Sequence, residues 1–391
     1  MSTPSYLSPV NTRMYLFLMI LTISVWAGFQ GWRTLFNNFA VEVAALEGHQ
    51  VGFIQSVREI PGFLALGVIV LLLVFKEHHL AAVGVITLGI GVAMAGFLPS
   101  YAGLMLTTLV MSFGFHYFET LNQSMTLQFF DIHQAPLVFG RLRSVGAATS
   151  IVAGLGILLA SQWASYWFMF LILGAVAAAG GLWCLFMHPN TSGAPVQHKK
   201  MIFRQRYWLF YLLTFLAGAR RQIFIAFAVF LLVKKFGFTI QAVTFLFVLN
   251  QSVNFFVNPL IGRAINRFGE RSVLSVEYLV LIMVFLCYAF AESKTLVAAM
   301  YILDHLVFNC AMAIRTFFQK IADPRDIAPS MAMGFTINHI AAVVLPFLGG
   351  LLWLVDYRLV FASGVILCLG SLAMVQVIPS QLAAARVSSG Q

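Results

Sequence analysis

Charge is what this sequence has least of. Asp, Glu, Lys and Arg together make up 9% of its 391 residues, against 61% hydrophobic residues. A water-soluble chain of that length could not hide so much apolar surface, which excludes an ordinary globular fold. Acidic residues are the scarcer sign, 13 against 23 Lys and Arg, for a formal net charge of +10. The excess does not point to nucleic acid, because no basic cluster with interleaved aromatics accompanies it. The four cysteines, Cys184, Cys287, Cys310 and Cys368, all lie in apolar stretches. Their spacing suits neither a metal site nor a disulfide framework. No glycine-rich phosphate loop with its lysine is present, which argues against ATP as the energy source. No nucleophile–base set stands out, and His78-His79 alone is a poor metal site, so neither an enzyme nor a cofactor protein is expected. The first apolar stretch is too long for a signal-peptide core and lacks a small-residue cleavage site, so it is expected to remain as a helix.

What is abundant is apolar runs, with 38 Phe among them. A run of about 20 apolar residues crosses a bilayer as a helix. Twelve such spans are predicted, at 14–39, 51–75, 79–98, 102–129, 137–161, 165–187, 207–233, 241–264, 272–291, 295–320, 328–353 and 357–378. Turn signals such as Leu98-Pro99-Ser100 and Asp323-Pro324-Arg325 separate them. The longest polar connection, 188–206, carries Pro189, Gly193, Pro195, Lys199, Lys200, Arg204 and Arg206. It divides the chain into an N-terminal bundle (1–187) and a C-terminal bundle with a short tail (207–391). Lys and Arg in the loops set the orientation. With the N-terminus in the cytoplasm, inside segments hold 14 of them and outside segments 4, the other 5 lying within spans. Both termini are therefore expected on the cytoplasmic side of a plasma or inner membrane.

The fourth span carries the most informative pattern. Ser112, His116, Glu119, Gln123 and Thr126 follow one another at spacings of four, three, four and three, which puts them on one helical face. A carboxylate and an imidazole are costly in hydrocarbon, so such a face turns to a bundle interior or a wet cavity. The bland reading is a hydrogen-bonded stripe that only joins helices. The functional reading is a path for solute or proton.

Other spans add polar groups. The first has Trp26, Gln30, Arg33 and Asn37 at the same helical spacing. In the second, Gln55 precedes Arg58 and Glu59, two neighbours about 100° apart on a helix that need not pair with each other. Arg58 could instead meet a carboxylate on another helix. The seventh has Arg220 and Arg221, of which Arg221 shares a face with Thr214 and Gly218 and is assigned to the cavity. The eighth presents Asn250, Asn254 and Asn258 as one face of carboxamides, suited to hydroxyls or carboxylates or to interhelical bonding. The tenth has Asp304, His305, Asn309 and Arg315, with Asp304 expected near the outer end and wet. The eleventh has Asn338 and His339. Arg33, Arg58, Arg220, Arg221 and Arg315 against Glu59, Glu119 and Asp304 leave an excess of two positive charges, which favours an anionic or zwitterionic solute.

The connection between the eighth and ninth spans reads GRAINRFGER, Gly262 to Arg271. This resembles the cytoplasmic signature of the major facilitator superfamily: glycine, three residues, Asp-Arg, one residue, glycine, one residue, a basic residue. Gly262, Arg267, Gly269 and Arg271 match, and Asn266 replaces the Asp. The loop between the second and third spans, where that superfamily usually shows its better copy, is Lys76-Glu77-His78-His79 and does not match. The halves also echo each other: Gln128, Asp131, Ala135-Pro136 and Gly140 after the fourth span, Gln319, Asp323, Ala328-Pro329 and Gly334 after the tenth. The resemblance implies an all-α membrane protein of twelve helices in two pseudo-symmetric six-helix bundles. It also implies secondary active transport by alternating access, with the signature segment as gate.

The sequence therefore reads as a proton-coupled transporter of a small organic solute, an anion or a zwitterion, with the bilayer, solute and protons as its partners and a monomer as its form. Substrate contacts are assigned to Gln30, Arg33, Arg58, Arg221, Asn250, Asn254, Asn338 and His339. Proton coupling is assigned to Glu119, Glu59, His116 and Asp304, and gating to Gly262, Asn266, Arg267, Gly269 and Arg271. A multidrug exporter of lipophilic cations, and a non-transporting receptor or lipid flippase, are the alternatives.

Overall fold

The structure, a computed structural model, describes residues 9–189 and 195–389; residues 190–194 of the long connection lie outside the described residues. Among the described residues there is no β-strand. The helices are α1 (Pro9–Glu42), α2 (Gly48–Val57), α3 (Ile60–Phe63), α4 (Gly67–Leu71), α5 (Glu77–Ala95), α6 (Tyr101–Phe129), α7 (Gln134–Ala160) and α8 (Tyr166–Phe186). After the connection come α9 (Trp208–Ile223), α10 (Val229–Lys234), α11 (Ile240–Phe290), α12 (Lys294–Phe308), α13 (Met312–Ile321), α14 (Ile327–Val355), α15 (Tyr357–Val375) and α16 (Ile378–Ser389). Among the described residues, nine stretches are long and apolar enough to cross a membrane. One of them, Ala242–Phe290, has the length of two crossings. Helices α6 and α14, 29 residues each, have spanning length as well. Twelve crossings result, with ends within a few residues of those expected.

Local chemistry explains several ends. The Leu98-Pro99-Ser100 turn closes on α6 because Ser100 Oγ accepts the Gly103 N–H at 3.1 Å, an N-cap that satisfies one orphan donor. Thr239 and Ser293 cap α11 and α12 in the same way. The second span is not one helix. It runs as α2, α3, a 3₁₀ turn and α4, breaking where Glu59 precedes Ile60-Pro61-Gly62. The tenth span also breaks, at a 3₁₀ turn over Asn309–Ala311 between α12 and α13. The seventh contains a π-helical turn, Phe224–Ala228, directly after its two arginines. Such turns often sit at functional sites.

The connection expected at 265–271 contracts to one non-helical residue. Gly269, at φ 77° and ψ 162°, interrupts α11 in a region of backbone space that is essentially glycine's own. A side chain there would cost roughly 1–3 kcal/mol. Gly262 answers a different need: its α-carbon lies against the Pro136 backbone, where a Cβ would collide with the carbonyl oxygen.

The chain forms two compact units. The first comprises 1–134, 142–202 and 325–336, the second 135–141, 203–324 and 337–391. In the first, α5 packs between α6 and α8, and α1 lies on α8. In the second, α11 packs on α12 and α15, and α9 on α15. Within hydrocarbon such helices are held by close van der Waals packing and hydrogen bonds rather than by exclusion of water.

Candidate functional site

In the first unit, the α6 face is where polar groups gather. Ser112, His116, Gln123 and Thr126 are buried, and Glu119 is half-buried. The stripe is not one continuous network. Thr126 folds back to its own helix, its Oγ1 donating to the Asn122 carbonyl at 2.8 Å. Gln123 Nε2 donates to Glu119 Oε1 at 2.9 Å, one turn apart on the same face. His116 Nδ1 lies 2.9 Å from both the Ser112 hydroxyl and the Ser112 carbonyl. A carbonyl only accepts, so Nδ1 carries the hydrogen, and Nε2 is the nitrogen that can take a proton. The Ser112 hydroxyl donates to the Arg58 carbonyl.

That last bond ties the break in the second span to α6. The structure corrects the expectation that Arg58 and Glu59 point apart. Arg58 Nη2 and Nε bond Glu59 Oε1 at 2.7 and 3.2 Å, and the guanidinium sits 5.8 Å from the Trp32 ring centroid. Both residues keep helical backbone angles at the junction of α2 and α3, so it is the reach of the two long side chains, bending toward each other, that closes the pair. Trp32, Arg58, Glu59, Ser112 and His116 thus come together from α1, the α2–α3 turn and α6. Gln30 bonds Thr34 of its own helix at 3.1 Å, and Arg33 is exposed.

The second unit buries more charge than the sequence reading assigned to it. Arg220 and Glu277 form an ion pair at 2.5 Å, 2% and 0% exposed, and Arg220 lies 4.7 Å from the Tyr278 ring centroid. Glu277 joins the membrane charges, and its signal in the sequence is a carboxylate within the apolar run 272–291. With it the count is five arginines against four carboxylates. Asp304 is also corrected: it is 2% exposed, not wet, because α12 is covered there by the ninth span around Tyr288. Arg221 is half-buried, while Asn338 Nδ2 donates to the Thr214 carbonyl at 3.3 Å and packs against Gly218. His339 is buried.

The carboxamide face divides. Asn254 Oδ1 accepts from Asn309 Nδ2 at 3.0 Å, across to the 3₁₀ break. Asn250 is 2% exposed, and neither of its amide atoms has a hydrogen-bond partner among the described residues. Asn258, beside the helix-interrupting Pro259, is buried as well.

At the Gly262–Arg271 segment, Asn266, Arg267 and Arg271 are exposed. Arg267 stacks on neighbouring Phe268 and Arg271 Nε donates to Gln376 Oε1 at 2.8 Å. The strongest tie there belongs to a residue that sequence reasoning passed over. Glu270, 2% exposed, accepts from Lys320 Nζ at 2.8 Å and Thr316 Oγ1 at 3.1 Å, joining α11 to α13.

Comparison with known proteins now decides the family. The family model described as Major Facilitator Superfamily matches residues 70–319, well over half of the chain. The chain belongs to the Major Facilitator Superfamily. It is a multi-pass membrane transporter and not an enzyme. No curated protein matches it in sequence. Solved structures similar to this superfamily member include a bacterial homologue of the iron transporter ferroportin in an outward-facing state, at 12% identity and TM-score 0.74, over 95% of this chain and 100% of that one. A variant of the E. coli fucose:proton symporter FucP matches at 14% identity and TM-score 0.70, over 93% and 98%. The human organic anion transporter MFSD10 matches at 14% identity and TM-score 0.67, over 94% and 100%. At these identities the likeness is one of fold.

Proposed function

We propose that this superfamily member is a proton-coupled secondary transporter of a small anionic or zwitterionic organic solute, working by alternating access. The observation that carries the reading is the α6 stripe, where His116 and Glu119 stand on the polar face of a helix of spanning length tied to the Arg58–Glu59 turn. Arginines give anions a charged fork, and the five-to-four balance of membrane charges still leans positive. Arg33, Arg58, Arg221, Gln30, Asn250, Asn254, Asn338 and His339 are the proposed solute contacts. Glu119, Glu59, His116 and Asp304 are the proposed proton carriers, each an ionisable group within a span, where such groups mark proton relays. A fucose:proton symporter and an organic anion transporter among the structural relatives are compatible with both halves of the proposal.

Uptake into proteoliposomes from a panel of labelled organic anions, zwitterions and lipophilic cations tests the solute class. Uptake of anions or zwitterions, and not of cations, is expected. Cation uptake would favour the multidrug reading, which the loss of one positive charge to Glu277 brings closer. No uptake of any class, with the protein folded, would leave the receptor or flippase reading.

The gate is proposed to be the segment from Gly262 to Arg271, with Asn266 and Arg267 exposed for partners in one state and Glu270 anchoring it to α13. Both termini are proposed to be cytoplasmic, at an inner or plasma membrane. A cysteine in place of exposed Val196 is then expected to react with a membrane-impermeant maleimide only in inside-out vesicles. Labelling in right-side-out cells would reverse the orientation.

A further inference from the structure

The second unit holds a knot of ionisable groups apart from the α6 stripe. Arg220 of α9, Glu277 of α11 and Asp304 of α12 are 2%, 0% and 2% exposed. Arg220 pairs with Glu277 at 2.5 Å. Asp304 lies within electrostatic reach of both, and its Oδ2 is buried with no hydrogen-bond partner among the described residues. The surrounding titratable groups are Tyr278, Cys287 and Tyr288 of α11, Tyr301 and His305 of α12 and Cys368 of α15.

Charge counting decides what this knot must do. One guanidinium stands against two carboxylates where no uncompensated charge is tolerated. Glu277 occupies the guanidinium, so the charge of Asp304 has to be cancelled by a proton or a metal cation. A hard cation needs a shell of several oxygens. The surroundings of Asp304 offer tyrosine hydroxyls and the Glu277 carboxylate, but Arg220 already holds that carboxylate and its guanidinium repels a cation. A proton needs only one carboxylate oxygen.

We propose that Asp304 holds an exchangeable proton governed by the Arg220–Glu277 pair, a second proton-binding site besides the α6 stripe. The inference deepens the proton-coupling reading and rests on it for the use to which the proton is put. Proton binding turns the Asp304 carboxylate into a neutral acid and leaves Arg220 with Glu277. Release restores the carboxylate and draws Arg220 toward Asp304. Occupancy and ion pairing are thereby linked, which gives the helices carrying these groups two arrangements.

Infrared difference spectroscopy of the full chain in liposomes, titrated with acid and base, tests this without a solute. Wild type is expected to show a buried carboxylic acid C=O band that disappears reversibly as pH rises. Asp304→Asn removes that band and Glu119→Gln keeps it. Glu277→Gln leaves Arg220 to Asp304 and weakens the band severalfold at the same pH. A band that survives Asp304→Asn, that never titrates while the protein stays folded, or that sodium removes at constant pH overturns the proposal. If Asp304→Asn does not fold, an unchanged band in Glu277→Gln overturns it alone. Because no transport is measured, failure of the uptake experiments would be a separate result.

Discussion

Arg220→Met is expected to cost the protein most of its folded stability. The guanidinium is 2% exposed and its partner Glu277 is 0% exposed. Removing one member of a buried ion pair leaves the other charge without compensation, at about 3–5 kcal/mol. Whole domains are stable by only about 5–15 kcal/mol, so a single deletion of that size is a large fraction of the total. The cost belongs to the stranded charge and not to the lost contact. Removing both partners together, as Arg220→Met with Glu277→Leu, should therefore recover much of the stability, since buried pairs are often replaceable by apolar residues of similar volume. Thermal unfolding of the purified variants in detergent checks both. A single variant that melts with wild type would show that the pair does not hold the second unit together. A double variant no better than the single would show that something other than the stranded carboxylate sets the cost.

Glu119→Gln is expected to abolish solute accumulation driven by a proton gradient while leaving solute exchange intact. Glu119 is half-buried on the α6 stripe and accepts from Gln123 at 2.9 Å, one turn from buried His116. Gln has the shape of the protonated acid and cannot release the proton. If the solute is an anion, a neutral, proton-carrying Glu119 no longer repels it, so that anion and proton favour each other's binding. Proton and anion then travel together, as symport. If the solute is a cation, it competes with the proton for the carboxylate, and exchange follows. Accumulation should fall at least about tenfold, a change worth about 1.4 kcal/mol or more. Counterflow should stay within a few-fold of wild type. Unchanged accumulation would remove Glu119 from the mechanism and leave Glu59 and Asp304.

Much of this molecule is legible in its sequence because hydrocarbon imposes a simple rule: about 20 apolar residues, every backbone group bonded internally. The spans and the polar face of α6 follow from it. The charged contacts were harder to read. Arg58 and Glu59 pair through the reach of their side chains, which the angle between two helical neighbours does not reveal. The Asn309–Ala311 turn carries neither Pro nor Gly, so nothing local announces it. Its consequence, the Asn254–Asn309 bond, depends on packing between elements far apart in sequence. Asp304 is dry because of what covers α12, which no pattern within α12 records. Glu277 is different, a carboxylate in an apolar run and so legible as costly. Glu270 lies in the connection, and its burial depends on Lys320 and Thr316 of α13.

The central claim is that solute and proton move together through this transporter. The most direct test uses proteoliposomes holding a trapped pH-sensitive dye, with the internal and external pH equal at the start and no membrane potential. Addition of a transported anion outside is expected to acidify the interior, and the acidification should vanish in Glu119→Gln. An anion that enters with no change in internal pH would contradict the account.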